Sequence, residues 1–325
     1  MDKPDGDTTV DTHVTIVRPI PGLFFNTFFG YMMIKIESEI TAAGEGASGQ
    51  TELARTKLEN SFNVSYPNCR EEQKRIVAIL DKVFADIEKI RANTEQNLKN
   101  ARELFGSVLG EKLANVANSE NVQSLSDLTD LIVDCEHKTA PSQASGKPSI
   151  RTPNIGKGEL LLDGVYRVND DVYETWTRRA KPRPGDLILA REAPAGNVGV
   201  IPEGETVCLG QRTVLIRPKE SEVFPLYLAF LMLHPILHER LLSKSSGATV
   251  THVNMRDIRS LDLPPLPNLT QQKIDARLIE EAREKLKRLE AISLRKLEEI
   301  DELKKSILQK AFSGELSIND KGVAA

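Results

Sequence analysis

The sequence predicts an α+β fold. A domain built on a twisted, mostly antiparallel sheet lies between two long helices that form an antiparallel coiled coil. Three observations lead there: blocks of sequence that return at a nearly constant offset; heptad apolar spacing over residues 70–115 and 270–313; and, between those stretches, short apolar runs punctuated by Gly and Pro.

The repeat sets the domain organisation. "TIVRP" at residues 15–19 returns as "VLIRP" at 214–218, and "FFGYMM" at 28–33 as "YLAFLM" at 227–232, both 199 positions on. "ASGQT" at 47–51 answers "SSGAT" at 245–249, Pro67 answers Pro267, and "EEQK" at 71–74 answers "TQQK" at 270–273. Self-similarity at one spacing means one structural unit used twice. That unit is the end of a globular domain followed by a long helix. The second copy is complete: a domain over 122–267, a helix over 270–313 and a tail over 314–325. In the first copy residues 1–66 are the C-terminal remnant of a domain, followed by a helix over 70–115. Met1 aligns with Val200, so the front of that first domain is expected to be missing.

Each long stretch reads as one helix. Ile76, Leu80, Val83, Ile87 and Ile90 fall at steps of four and three, a narrow seam rather than a broad surface stripe. In the second stretch Leu278, Ala282, Leu286 and Leu289 lead into Leu297, Ile300, Leu303 and Ile307. Glu71 and Glu72 suit the positive end of the first helix, and Gly314 is placed to end the second. A narrow seam needs a partner seam. A chain that leaves one helix, builds a domain and returns by the other packs them antiparallel most simply. Val83, Ile87 and Ile90 are therefore expected to face Leu297, Ile300 and Leu303.

Between the helices, "GDLILA", "GNVGVI", "TVCLG" and "RTVLIRP" read as strands and residues 225–244 as one or two helices broken near Pro235. The loops are polar and basic. Composition excludes several classes. The 325 residues carry a net charge of −4, and residues 122–267 hold 17 Lys+Arg against 18 Asp+Glu. There is thus no basic excess of the kind a nonspecific DNA binder usually shows. No apolar run approaches the roughly 18 residues a membrane span needs. Cys69, Cys135 and Cys208 have no CxxC spacing, which points to the reducing cytosol and away from structural zinc. No GxxxxGK[ST] loop or dinucleotide fingerprint is present. Asp186 and Glu192 imitate a nuclease's metal carboxylates, but Pro194 stands where such a site has its lysine. No catalytic residue and no metal site is expected.

Several blocks together resemble one family. "YPNCREEQKRIVAILDKVFADIEKIRANTEQNLKNARELF" and "LKKSILQKAFSGEL" resemble the helical regions of the specificity subunit of type I restriction-modification enzymes. "HKTAP", "IRTPNI", "WTRRAKPRPGDLILAREAPAGNVG", "LGQRTVLIRP" and "SSGATVTHVNMRDIRSLDLPPLP" resemble one of its target-recognition domains. The resemblance implies a non-catalytic, cytoplasmic subunit that reads a half-site of a bipartite target in double-stranded DNA. It also implies docked methyltransferase (modification) subunits that use S-adenosylmethionine, and motor-nuclease (restriction) subunits. The chain itself would bind no cofactor. One complete domain plus a remnant departs from the family's two complete domains.

Base readout needs donors and acceptors on loops of a rigid domain, arginine suiting guanine and Asn or Gln suiting adenine. Lys138, Arg151, Asn154, Arg178, Arg179, Arg191, Asn197, Thr249, His252 and Asn254 meet that criterion. Gln211 and Arg212 enter a strand and read as structural, and Trp176 reads as core. Two alternatives stay open: a degenerate coiled-coil scaffold without useful DNA specificity, and a nuclease at Asp186 and Glu192. For residues 1–66 the expectation is loose order in the isolated monomer or completion by a second polypeptide, with Phe24, Phe25, Phe28 and Phe29 losing part of their cover. A second copy of the chain could supply the other recognition domain.

Overall fold

The computed structural model describes residues 10–11, 14–44, 52–114, 122–136, 138–243 and 252–318. After an extended stretch, α1 (Asn26–Lys35), α2 (Glu37–Ala42) and α3 (Arg55–Asn60) precede the long α4 (Arg70–Lys112). Then come β1 (Gln123–Ser124), β2 (Thr129–Asp134), β3 (Lys147–Ile150), β4 (Gly158–Glu159), β5 (Arg167–Val168) and α5 (Asp170–Trp176). β6 (Leu187–Ala190), β7 (Val198–Val200), β8 (Cys208–Leu209) and β9 (Thr213–Pro218) follow. α6 (Pro225–Met232), α7 (Pro235–Ser243), α8 (Met255–Arg259), β10 (Asp262–Leu263), the long α9 (Leu269–Ser313) and α10 (Glu315–Ile318) complete the order. The chain divides into two units, Met1–Asn100 with Leu289–Ala325, and Ala101–Arg288. Among the described residues no helix is long and apolar enough to cross a membrane.

In Ala101–Arg288 a five-stranded sheet has the order β2-β9-β6-β7-β4, beside a three-stranded sheet β5-β3-β8 and the β1–β10 pair. The pairings are antiparallel except β4–β7 and β3–β8. β6 and β9 read as continuous apolar runs because both faces of the sheet are covered. Leu187, Leu189, Val214 and Ile216 join one core with α6, Leu109, Leu113, Ala276 and Ile279. Ile188, Ala190 and Leu215 join the other with Ile150, Ile155 and Leu209. α6 is apolar all round because every residue from Tyr227 to Met232 is buried. The first turns of α9, in this unit, face Gln272, Ala276, Ile279 and Arg283 inward, which leaves Leu278 exposed. Leu289, just beyond it, is exposed as well.

In the other unit α4 and α9 pack antiparallel. Ile76, Val77 and Leu80 near the start of α4 share a core with Leu308, Ala311 and Phe312 near the end of α9. Farther along, Glu88 pairs with Lys304 and Arg91 with Asp301. Ile87 and Ile300 are buried, with Val83, Leu297 and Ile307 half-buried. Ile90 and Leu303, however, are exposed (43% and 48%), which corrects the seam at those two positions. After Ile87 the inward step is four, to Arg91, and then three, to Thr94, which is 4% exposed. After Ile300 it is four again, to Lys304, whose ammonium lies 5.7 Å from the Phe84 ring centroid. The stems of Arg91 and Lys304 fill the seam while their charged ends reach partners outside it. Gly314, at φ 85°, ends α9 as predicted.

The repeat reappears as a matched set of hydrogen bonds. Buried Gln73 accepts from the Phe25 amide (2.7 Å) and donates to the carbonyls of Leu23 (3.1 Å) and Pro67 (2.9 Å). Buried Gln272 accepts from the Phe224 amide (2.8 Å) and donates to those of Glu222 (2.8 Å) and Pro267 (2.8 Å). Each glutamine ties the start of a long helix to the loop ahead of α1 or α6. Replacing Gln272 by leucine should cost about 1–3 kcal/mol for each backbone group left without a partner, seen as a lower denaturant midpoint. Gln73→Leu should do the same in its own unit. Unchanged midpoints would remove the clamp from the account of the fold.

The expectation that Phe24 and Phe28 lose cover is overturned: they are 8% and 0% exposed. Phe24 packs on Phe29 and Tyr66, Phe28 lies 5.0 Å from the Phe312 ring, and both belong to the Ile76–Leu80–Leu308 cluster. The two helices supply the cover that a sheet would otherwise give. The counterpart of β9 differs. Residues 14–20 form no strand, and Val14, Ile16, Val17 and Ile20 are exposed.

Candidate nucleic-acid interface

The loops that carry the polar residues meet at one end of the sheets. Asp134 at the end of β2 pairs with Val214, Ala190 at the end of β6 pairs with Thr213, and Ile150 at the end of β3 pairs with Leu209. The chain on either side of these pairs is joined by Cys135 N–H to Thr213 O (3.1 Å), Arg191 N–H to Arg212 O (3.0 Å) and Gly210 N–H to Ile150 O (2.7 Å). A Cβ on Gly210 would lie 2.6 Å from the Ile150 carbonyl oxygen, so the turn into Gln211 and Arg212 admits only glycine there. Antiparallel register thus gathers loops that are far apart in sequence.

The arginines in this cluster have three different environments. Arg178 pairs with Glu136 at 2.9 Å, and Arg179 pairs with Asp134 and donates to the Cys135 carbonyl. Arg191 is 8% exposed. It donates through Nε to the Val253 carbonyl (2.9 Å) and through Nη2 to His252 Nε2 (2.7 Å). Because arginine only donates, His252 accepts at Nε2 and its Nδ1–H points to Glu192 Oε1 at 3.2 Å. The other oxygen of Glu192 pairs with Arg212 Nη1 at 2.8 Å. Arg191 therefore braces the His252 and Arg212 loops from within. Arg151 is exposed, and its guanidinium lies over the Tyr166 ring, 5.5 Å from the centroid.

The remaining candidates are placed as follows. Lys138 is exposed, and its carbonyl accepts from Trp176 Nε1 at 3.4 Å, while the Trp176 ring packs beside Tyr173 and Val168. Asn154 Oδ1 accepts from the Arg151 amide (3.0 Å), Asn197 Nδ2 donates to Ile155 O (3.0 Å), and Asn254 Nδ2 donates to Asp257 (3.3 Å) at the start of α8. These three asparagines shape loops. Thr249 lies outside the described residues. Sequence reasoning passed over Tyr166 and the carboxylates Asp134, Glu136 and Glu192 as arginine partners. A lone surface tyrosine and acids far along the chain carry no local signal.

Asp186 is taken up by structure. It is 1% exposed, receives both Nε (2.8 Å) and Nη2 (2.7 Å) of Arg217, and accepts from the Arg183 amide. Burial pushes the Cys208 thiol up to about 12, so it stays protonated at neutral pH. The loop cluster is equipped to present donors and acceptors to a polar surface.

An α+β recognition domain carried on a pair of long helices, with basic loops gathered at one end of its sheets, defines a recognition module on a helical scaffold. A model described as the type I restriction modification DNA specificity domain matches residues 5–99 and 124–304, and the chain belongs to that family. The two matched stretches fall one on each copy of the repeat. Over 168 residues the chain is 24% identical to the type I restriction enzyme EcoBI specificity subunit of Escherichia coli, covering 52% of this chain and 35% of that protein. The chain therefore matches about a third of that relative's length. A solved structure described as the basis of complex assembly and conformational transition of the type I R-M system superposes with a TM-score of 0.66 at 18% identity. It covers 88% of this chain and 70% of that one and shows a shared fold. The HsdS subunit of Thermoanaerobacter tengcongensis aligns with a TM-score of 0.48 at 19% identity, over 88% of this chain and 70% of that one.

Proposed function

We propose that this chain is the DNA-reading, non-catalytic subunit of a type I restriction-modification complex. Loops of residues 122–267 read one half-site of a bipartite target. α4 and α9 dock methyltransferase subunits that use S-adenosylmethionine, motor-nuclease subunits join them, and the assembly works in the cytoplasm. The chain binds no cofactor of its own. The observation that carries this reading is the gathering of Lys138, Arg151, Arg178, Arg179 and Arg212 at one end of the sheets in a chain of this family. The weak net charge fits a subunit whose neighbours supply phosphate contacts.

The test is binding of duplex DNA by the chain with its methyltransferase subunit. Arg178→Ala should weaken specific binding by about 1–3 kcal/mol if the residue reads a base. A uniform loss on all sequences would assign it to phosphate. No loss from Arg178→Ala or Arg179→Ala would sink this face. Arg191→Ala is the poorer probe, because it removes a buried brace.

The scaffold reading rests on residues 14–20, which form no strand, whereas β9 is paired on both sides, with β2 and β6. It requires that the assembled complex show no preference among DNA sequences. The same assay decides between the two.

A further inference from the structure

One cleft in the loop cluster has the makings of a base-reading pair. It measures about 230 Å³, and its lining includes Arg151 and Tyr166, Thr139 and Gln211, and Ser149 and Gly210. Three features set it apart from the rest of the cluster.

The first is the state of Arg151. Arg178, Arg179 and Arg212 are each met by a carboxylate, so using them on DNA means breaking an ion pair. Among the described residues no carboxylate pairs with Arg151, and it rests instead on an aromatic ring. A guanidinium that rests over an aromatic ring spends none of its N–H groups on an ion pair, so they stay available. Those groups match O6 and N7 of guanine in the major groove. The Asn154 carboxamide holds the Arg151 amide, and Gly210 sits where an added Cβ would be 2.7 Å from Arg151 Cγ, so the stem is confined as well.

The second is Tyr166, which is 58% exposed although its carbonyl is held by the Ser149 amide at 2.7 Å. An aromatic ring left in water on a fixed backbone, under an arginine, is better explained as a support than as core. The third is the turn before β9. Arg212 has φ 67°, a left-handed conformation that a non-glycine residue adopts at a cost. That turn sets Gln211 in the lining of the cleft, where the Thr139 hydroxyl donates to its carboxamide oxygen at 3.2 Å. A glutamine carboxamide matches N6 and N7 of adenine.

We propose that Arg151, resting over Tyr166, and Gln211, held by Thr139, read a guanine and an adenine at neighbouring positions of the half-site. Tyr166 is a positioning residue. The inference rests on the reading that these loops bind DNA.

The experiment selects binding sites from a randomised duplex library with the full chain in complex with its methyltransferase subunit. The wild type should enrich one motif. Tyr166→Ala should lower the preference at one guanine by about 5- to 150-fold and leave the other positions unchanged. Tyr166→Phe, which keeps the ring, should retain that preference. Gln211→Glu should turn the neighbouring adenine into cytosine, because a carboxylate accepts from cytosine N4. An unchanged motif in Tyr166→Ala and Gln211→Glu would overturn the pair while leaving DNA reading by the other loops intact. So would a uniform loss at all positions. No enriched motif for the wild type would overturn the underlying reading itself.

Discussion

Arg217→Ala should destabilise Ala101–Arg288 by about 3–5 kcal/mol, the cost of leaving a buried charge without its partner. Asp186 is 1% exposed, and the two-pronged contact from Arg217 at 2.7 and 2.8 Å is what allows a carboxylate there. Arg217 also donates to the Lys181 carbonyl at 2.9 Å, so its loss loosens the approach to β6 as well as the β6–β9 pair. Urea denaturation followed by circular dichroism reads the effect. The double variant Asp186→Asn with Arg217→Met should recover much of the loss, since removing both charges leaves nothing unpaired. A change below about 1 kcal/mol in the single variant, within the range of ordinary surface substitutions, would mean that the pair does not hold β6 to β9.

Ile87→Asp should have a comparable effect in the other unit, about 3 kcal/mol or more for a carboxylate placed in an apolar seam. Ile87 is 3% exposed and Ile300 6%, and the pairs Glu88–Lys304 and Arg91–Asp301 join the helices around them. The variant should lower the melting temperature of the coil and, on the docking proposed for α4 and α9, release the methyltransferase subunit. Ile90→Asp, three residues on, is the control. Its position is 43% exposed, so it should stay within about 0.5 kcal/mol of wild type. If Ile87→Asp leaves helicity and partner binding unchanged, or if both variants behave alike, the helices do not meet as described.

The seam shows where sequence reasoning stops. The four-three spacing of Ile76, Leu80, Val83 and Ile87 is a local property, and it foretold a helix and a narrow inward face in need of a partner. It did not foretell that the next step would land on Arg91 instead of Ile90. At that point a lysine or arginine stem fills space as well as an isoleucine does, provided its charge finds a carboxylate on the other helix. Asp301 is 210 residues from Arg91. No periodicity within one helix contains that information. The buried phenylalanines Phe24 and Phe28 teach the same lesson, because their cover comes from Phe312 and Leu308 at the far end of the chain.

The sequence by itself determined the architecture of this protein. The apolar spacing of the two helices and the Gly- and Pro-punctuated runs that became β6 to β9 act over a few neighbouring residues, and the constant offset shows that local pattern used twice. So does the choice of Gly314 to end α9. The tertiary structure alone decided which basic residues are available. Arg178 meets Glu136 across 42 positions and Arg191 meets His252 across 61, because sheet register brings those loops together. Burial then makes Arg191 a brace, a carboxylate holds Arg178, and Arg151 rests over Tyr166 with no carboxylate paired to it among the described residues. The residues look alike in the sequence. They differ in what the fold sets beside each guanidinium, and an ion pair, a buried hydrogen bond and an aromatic face leave its donors free to different degrees.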